Sequence, residues 1–485
     1  MALKVLIVSS EAVPFAKTGG LADVAGSLPQ ALKAAGCDVT LAMPLYREVV
    51  EKGGDFEEVG GEITVKIGLH DVTASLLRGE SEGIPVYFLK QDEYFDRSFL
   101  YGTPDGDYFD NLERFTLFAR GLLDGLSRLS ETFDVIHCND WQTGLIPVYL
   151  KSLYGADKNY KKTATIFTIH NIAYQGKFPS PLFPVTGLPS RLFSVDGLEF
   201  WGNISLLKGG VLFSELVTTV SKRYSREIQT KAFGYGLEGV LKARRKELFG
   251  VLNGIDYREW NPEHDPHIAA PYSPRNLSGK VVCRSDLLGE FGLKLPVKRP
   301  LLGIISRLAD QKGFDILSEA MDEIMAMDVG MVLLGTGERR YHELFTALAE
   351  RYPKRLGVKI TYDNRLAHKI EAGADIFLMP SKYEPCGLNQ IYSLKYGTVP
   401  IVRATGGLDD TVEGYDRKSG KGNGFKFSRY SPAALVKKVG EAVTLFQEKR
   451  EWRKVMQNGM AEDFSWERSA RRYITLYHRA VKMRR

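Results

Sequence analysis

Short apolar runs recur along the chain, and most of the segments between them are long enough for a helix. In the first half the runs fall at residues 5–8, 39–43, 86–89, 135–137, 164–169 and 216–220. Runs of this length without polar alternation predict strands buried on both faces, as in a parallel sheet covered by helices. Residues 28–36 read as the end of a helix stopped by Gly36 just before the strand at Val39. Residues 63–69 and 74–77 read instead as a hairpin excursion. Between about 250 and 300 the texture changes to Asn253-Gly254, Asn261-Pro262 and prolines at 266, 271, 274, 296 and 300, which is linker chemistry. The pattern then resumes at residues 301–305, 329–334, 358–361, 376–379 and 399–402.

This predicts an α/β chain of two Rossmann-like, doubly wound domains, residues 1–250 and 251–460, facing each other across a deep interdomain cleft at the carboxyl ends of their strands. Residues 461–485 read as a terminal helix, with Ser465 at its start and Trp466, Tyr473 and Tyr477 as its apolar anchors.

A length of 485 residues suits two or three cores. The net charge of +6, from 65 basic and 59 acidic residues, is modest, and the basic clusters at 242–246 and 468–472 read as solvated helix faces. No nucleic-acid module is recognisable, so a nucleic-acid partner is not expected. The opening apolar run is too short to export the chain or to cross a bilayer. The cysteines at 37, 138, 283 and 386 form no close pair, which argues against a zinc cluster or a disulfide framework and for a cytoplasmic protein without a membrane partner. The 25 Phe, 23 Tyr and 5 Trp suit rings stacked on flat ligands and ordinary cores equally well.

Candidate chemistry clusters where strands end. Lys17-Thr18-Gly19-Gly20 follows the first run, and Arg403-Ala404-Thr405-Gly406-Gly407 follows the last. In both, a strand ends in Gly-Gly ahead of a helix, so backbone N–H groups could meet an anion; alternatively the glycines only relieve backbone strain. Ser306 to Gly313 delivers Arg307 and Lys312 from one loop, a guanidinium fork and a mobile ammonium suited to a diphosphate leaving group, or else two surface cations. Glu384 stands between Tyr383 and Pro385, where its carboxylate could face sugar hydroxyls and a cationic anomeric carbon, or cap a helix starting near Gly387. His137-Cys138-Asn139-Asp140-Trp141 and His170-Asn171 close two strands of the first half. Both histidines are therefore candidates for the cleft, with Asp140 and Trp141 a carboxylate and a stacking ring for a saccharide; a buried structural histidine is the alternative at either position. No compact ligand spacing points to a metal, and two cations can supply the charge of a magnesium ion.

These stretches, with residues 251–260, Tyr362, and residues 367–374 and 381–388, resemble the bacterial glycogen synthases, a family shared with plant starch synthases and built on the two-domain GT-B fold of retaining glycosyltransferases. The likeness runs essentially the full length, and Lys-Thr-Gly-Gly-Leu-Ala-Asp-Val together with Glu-Pro-Cys-Gly-Leu carries it. It implies transfer of glucose from ADP-glucose to the nonreducing 4-hydroxyl of glycogen or another α-1,4-glucan, with retention, release of ADP and no cofactor beyond the donor. By motif, Glu384, Arg307, Lys312, His170 and Asp140 would be the catalytic group. Lys17, Gly19, Gly20, Asp23, Asn253, Tyr362, Cys386, Gly387, Leu388, Thr405, Gly406 and Gly407 would bind the donor, with Tyr362 against adenine. Trp141 and Asn171 would lie on the acceptor side. The resemblance also implies that the terminal helix crosses back to the first domain. The chain departs from the family pattern at Asn139, where histidine is frequent, at Lys222, where proline is common, and at Glu371, where tyrosine is often found.

Three other readings share some of these residues. Another GT-B enzyme could use UDP-glucose or a different sugar donor, because the diphosphate is common to them. A phosphorylase-like enzyme would need pyridoxal phosphate on a lysine, for which no supporting site stands out. A noncatalytic glucan-binding protein would explain the aromatics without needing Arg307 and Lys312 together.

Overall fold

The apolar runs of the first half become strands because helices cover both faces of the sheet they form, so every side chain of a run can be buried. The computed structural model describes residues 2–484. Nine strands make the first sheet: β1 (Lys4–Val8), β2 (Asp38–Pro44), β3 (Glu57–Ile67), β4 (His70–Ser81), β5 (Ile84–Lys90), β6 (Val135–Asn139), β7 (Ala164–Ile169), β8 (Leu216–Thr219) and β9 (Leu248–Gly250). Their order is β9-β8-β7-β6-β1-β2-β5-β4-β3. Pairing is parallel from β9 to β5, with Val5 opposite Val39 on one side and Val135 on the other.

The expected hairpin at 63–77 is longer than its apolar residues indicate. It spans β3 and β4 and joins the main sheet through antiparallel pairing of β4 with β5. Only one face of these strands is buried, so they alternate apolar and polar residues and their ends carry no continuous apolar run.

Six further strands form a second, wholly parallel sheet: β10 (Leu301–Ile305), β11 (Gly330–Leu334), β12 (Leu356–Lys359), β13 (Ile376–Met379), β14 (Val399–Arg403) and β15 (Phe425–Phe427), in the order β12-β11-β10-β13-β14-β15. Apolar layers lie on both of its faces, one built around Leu302, Phe314, Met331 and Phe345, the other around Leu301, Val332, Ile370 and Phe377. The short edge strands β9 and β15 were not anticipated, and β12 starts two residues before its expected run.

The chain divides into two compact units, one running to Gly254 and including the terminal helix Trp466–Arg484, the other Ile255–Ser465. Both are Rossmann-like α/β units. The stretch read as a linker is mostly structured within the second unit. Its prolines set an irregular path, but Trp260 and Tyr272 are buried along it, and it holds the helix Ser278–Glu290. Trp260 lies flat between the rings of His368, 3.8 Å away, and Tyr392, 3.9 Å away.

In the first unit the terminal helix buries Trp466, Tyr473 and Tyr477, while Arg468, Arg471 and Arg472 face solvent as an ordinary charged helix face. Among the described residues, no helix is long and apolar enough to cross a membrane.

Candidate active site

In the second unit the chain winds outward from β10 through β11 to β12, then returns to lay β13 against β10. The loops leaving β10 and β13 therefore diverge and open a crevice at the carboxyl edge of the sheet, the place where ligands bind in open α/β sheets. Arg307 and Lys312 lie on the first loop and Ser381 to Leu388 on the second. They meet because Gly313, at φ 79°, lets the first loop turn so close that a Cβ there would collide with the Pro380 carbonyl. Lys312 Nζ lies 2.7 Å from Glu384 Oε2, and Ser381 Oγ donates to the same oxygen at 3.1 Å. Arg307 is exposed on the same loop, and its Nη2 donates to Gln311 Oε1 at 3.4 Å. Gln311 in turn joins the loops, accepting the Lys382 N–H at 2.8 Å and donating to the Tyr383 carbonyl at 3.4 Å.

The loop after β14 packs on this corner. Gly406 has φ 46° and leaves no room for a Cβ beside the Glu384 carbonyl, while the Gly407 N–H donates to the carbonyls of Glu384 and Pro385 at 3.1 and 3.0 Å. Gly406 and Gly407 thus lay their backbone directly against that of Glu384, Pro385 and Cys386.

Two expectations change here. Arg403 does not face an open anion site: its guanidinium donates to the Ser381 carbonyl at 2.9 Å and to the Lys382 carbonyl, bracing the loop that carries Glu384. Glu384 is not a helix cap, because the next helix starts at Asn389 with no side-chain cap and the carboxylate is engaged by Lys312 and Ser381. Tyr362 follows β12 at the sheet edge and is 75% exposed.

The first unit repeats the arrangement. Its winding reverses between β1 and β6, so the loops after these strands flank its crevice. After β1, Glu11 folds back and takes the N–H groups of Thr18 and Gly19, together with the Thr18 hydroxyl at 2.9 Å. Burial raises the pKa of Glu11, and these hydrogen bonds oppose the rise. The neighbouring Lys17 Nζ pairs with Asp23 at 2.7 Å. Gly19 and Gly20 have negative φ, and a Cβ on either would meet nothing within 4 Å among the described residues. Backbone strain therefore does not explain these two glycines, and the space beside them is open to a ligand. The expected helix begins there, at Gly20–Ala34. Asn253 is buried, and among the described residues its Oδ1 has no hydrogen-bond partner.

After β6, Asp140 adopts φ 55°, an unusual conformation for a non-glycine residue that turns its buried carboxylate towards the end of β7. There Oδ1 accepts the His170 N–H at 2.7 Å, and burial pushes its pKa up to about 7. His170 is half-buried, its Nε2 lies 2.9 Å from Asn139 Oδ1, and desolvation lowers its pKa to about 3. Asn171 Oδ1 accepts the Ala173 N–H at 3.1 Å, which shapes the loop leaving β7. Trp141 packs edge-on against Phe115 at 4.9 Å and against Phe178 at 5.9 Å.

His137, expected in the cleft, is instead a core residue. It is fully buried, with Nδ1 2.9 Å from the Tyr477 hydroxyl and Nε2 2.6 Å from Thr168 Oγ1. Its position mid-strand, two residues before the end of β6, carries it inside, whereas His170 lies just beyond the end of β7.

Glu11, Asn139, Gln311 and Ser381 were not singled out by sequence reasoning as site residues. Each stands at or just beyond a strand end, which was the one available signal; their partners become visible only in the folded chain.

Residues 4–243 match the family described as starch synthase catalytic domain, and residues 290–458 match glycosyl transferases group 1. The chain is 48% identical over 483 residues to a glycogen synthase of Koribacter versatilis, covering 99% of each protein. It is 46% identical over 491 residues to a glycogen synthase of Thermotoga petrophila, again over 99% of each. The catalytic domain of starch synthase IV from Arabidopsis thaliana, solved with ADP and acarbose bound, is similar at a TM-score of 0.91 and 31% identity, over 99% of this chain and 100% of that one. A sucrose-phosphate synthase from Thermosynechococcus elongatus, at a TM-score of 0.61 and 16% identity, shares the fold. Two Rossmann-like units with candidate residues at both sheet reversals, matched end to end by these proteins, assign the chain to the glycogen and starch synthase family of GT-B glycosyltransferases, which act on glucan with a nucleotide-sugar donor.

Proposed function

We propose that the protein transfers glucose from ADP-glucose to the nonreducing 4-hydroxyl of an α-1,4-glucan, with retention at the anomeric carbon and release of ADP. The observation that carries this reading is the pairing of Lys312 with the buried carboxylate of Glu384 at one sheet reversal, with Arg307 exposed on the same loop as Lys312. Arg307 and Lys312 neutralise the diphosphate as the C1–O bond breaks. Glu384 stabilises the positive charge that develops on the glucosyl ring. Tyr362 stacks on adenine, the open space beside Gly19 and Gly20 admits the donor phosphates, and Asp140 and His170 serve the glucose. The bound ADP and acarbose of the starch synthase IV structure support this choice of donor and acceptor.

Retention follows a front-face route. No carboxylate among the candidates pairs with a general acid in the manner of a double-displacement enzyme. The 4-hydroxyl oxygen forms the new bond to C1 on the face from which the diphosphate departs, its proton passes to the departing phosphate oxygen, and ADP leaves with the bonding electrons.

The test is ADP release from the purified protein with ADP-glucose and glycogen together, and with each alone. NMR of the elongated product should show a new α-1,4 linkage. ADP formed only when both substrates are present is the expected result. Faster transfer from UDP-glucose would overturn the donor assignment, a β linkage would overturn retention, and no release under any condition would favour a glucan-binding role.

A further inference from the structure

Asn139 closes β6, and its side chain is fixed at both ends. Its Nδ2 donates to the Val8 carbonyl on the neighbouring β1 at 3.1 Å and to the His137 carbonyl at 3.3 Å. A flipped amide would aim Oδ1 at two carbonyl oxygens, so the chemistry of the neighbours decides the orientation. Oδ1 therefore faces His170 Nε2, 2.9 Å away, and an acceptor at that position requires the hydrogen to sit on Nε2.

The rest of the surroundings agree. Asp140 holds the His170 backbone N–H, which fixes where the ring starts. Desolvation disfavours the imidazolium, so the second proton is absent near neutral pH. A neutral ring protonated on Nε2 bears a bare lone pair on Nδ1, and among the described residues Nδ1 has no hydrogen-bond partner. His137 cannot take its place, because both of its ring nitrogens are engaged by Tyr477 and Thr168.

We infer that Asn139 is a positioning residue that locks His170 as the neutral Nε2–H tautomer and so presents Nδ1 as a hydrogen-bond acceptor for a sugar hydroxyl. The inference rests on the reading above of His170 as a glucose-side group. It makes His170 a receiver of a hydroxyl hydrogen bond rather than a proton donor to the leaving group.

The experiment is 15N NMR of the full-length protein labelled at histidine nitrogen, near neutral pH and without substrate, with the His170 signals assigned by their loss in His170→Gln. A protonated Nε2 and an unprotonated Nδ1 are expected. The opposite tautomer, or an imidazolium, would overturn the inference. Asn139→Leu, close in volume but unable to accept, should release the ring into a mixture of tautomers. It should lower kcat on the order of 10- to 100-fold, the range seen when partners that orient a functional histidine are removed, while KM for donor changes little. A lower kcat with the original tautomer retained would show that Asn139 only packs, and would equally overturn it. Because the tautomer is read without substrate, the expected signature in a protein that transfers no glucose supports the assignment and removes only the functional reading on which its use depends.

Discussion

Lys312 Nζ and Glu384 Oε2 lie 2.7 Å apart, joining loops that leave two adjacent strands of the second sheet. Each charge neutralises the other, and Ser381 also donates to the carboxylate. A bound diphosphate would compete for the ammonium and leave Glu384 to face positive charge developing elsewhere. The pair therefore joins two groups proposed to act at different ends of the bond that breaks.

Removing either cation should mainly depress turnover. Arg307→Ala and Lys312→Ala are each expected to lower kcat on the order of 10² to 10³-fold, as when one preorganised charge-stabilising donor is lost. Lys312→Ala also strips a buried carboxylate of its partner, so its effect should not add to that of Glu384→Gln in the double variant. Steady-state kinetics at saturating donor check both points. Near-normal turnover in either single variant would remove the diphosphate assignment.

Glu384→Gln should retain the Ser381 contact and fold normally but transfer glucose slowly, because a neutral amide cannot stabilise a cationic ring. Circular dichroism and melting temperature should match the parent protein while kcat falls. Unchanged kinetics would show that the carboxylate only holds Lys312.

The two Gly-Gly loops should respond in opposite ways to a single methyl group. Gly19→Ala meets open space at negative φ, so stability should shift by no more than about 0.5 kcal/mol, while KM for donor rises because the added methyl occupies the space proposed for the donor phosphates. Gly406→Ala combines φ 46° with a collision at the Glu384 carbonyl and should cost roughly 2 to 4 kcal/mol, with activity lost alongside. Denaturant titration and donor kinetics on both variants decide it. Destabilisation by Gly19→Ala would return that glycine to a purely structural role.

Stability of the second unit should fall at alkaline pH. Burial lowers the pKa of His368, but the hydrogen bond to Asp265, 2.8 Å away, and the charge of the Glu259 carboxylate, 3.8 Å away, outweigh it and raise the value from 6.5 to about 9. Burial likewise raises Asp265, yet its bonds from His368 and Tyr396 leave it below its ordinary value. A raised histidine stabilises fully below its unfolded pKa of 6.5 and loses that contribution as pH climbs through about 9. A lowered aspartate loses its contribution as pH falls through the carboxylate range. Urea unfolding of the wild type and His368→Gln should differ most between roughly pH 5 and 6.5, and the gap should shrink by about 1 to 3 kcal/mol by pH 9.5. A gap independent of pH would leave only the stacking of His368 on Trp260.

Much of the architecture was legible locally. Runs such as 301–305 and 376–379 became β10 and β13 unchanged, because a strand buried on both faces must be apolar at every position and so announces itself. The grouping of Arg307, Lys312 and Glu384 was visible for a related reason: each follows a strand, and parallel sheets bring their carboxyl-end loops to one edge. β3 and β4 were only partly legible, since one face of each is exposed and their periodicity is diluted by polar residues.

The sequence by itself determined most of the strands buried on both faces, which loops carry charge, and where glycine interrupts them, because these follow from local side-chain chemistry and period. Only the tertiary structure decided how the polar groups are partnered. It placed Glu11 rather than a ligand on the Thr18 and Gly19 amides, turned Arg403 onto loop carbonyls, buried His137 against Tyr477 from the far end of the chain, and set Asn139 against His170. A hydrogen bond depends on position and direction to within a few tenths of an ångström. Nothing in the local sequence encodes that geometry until distant strands are laid side by side.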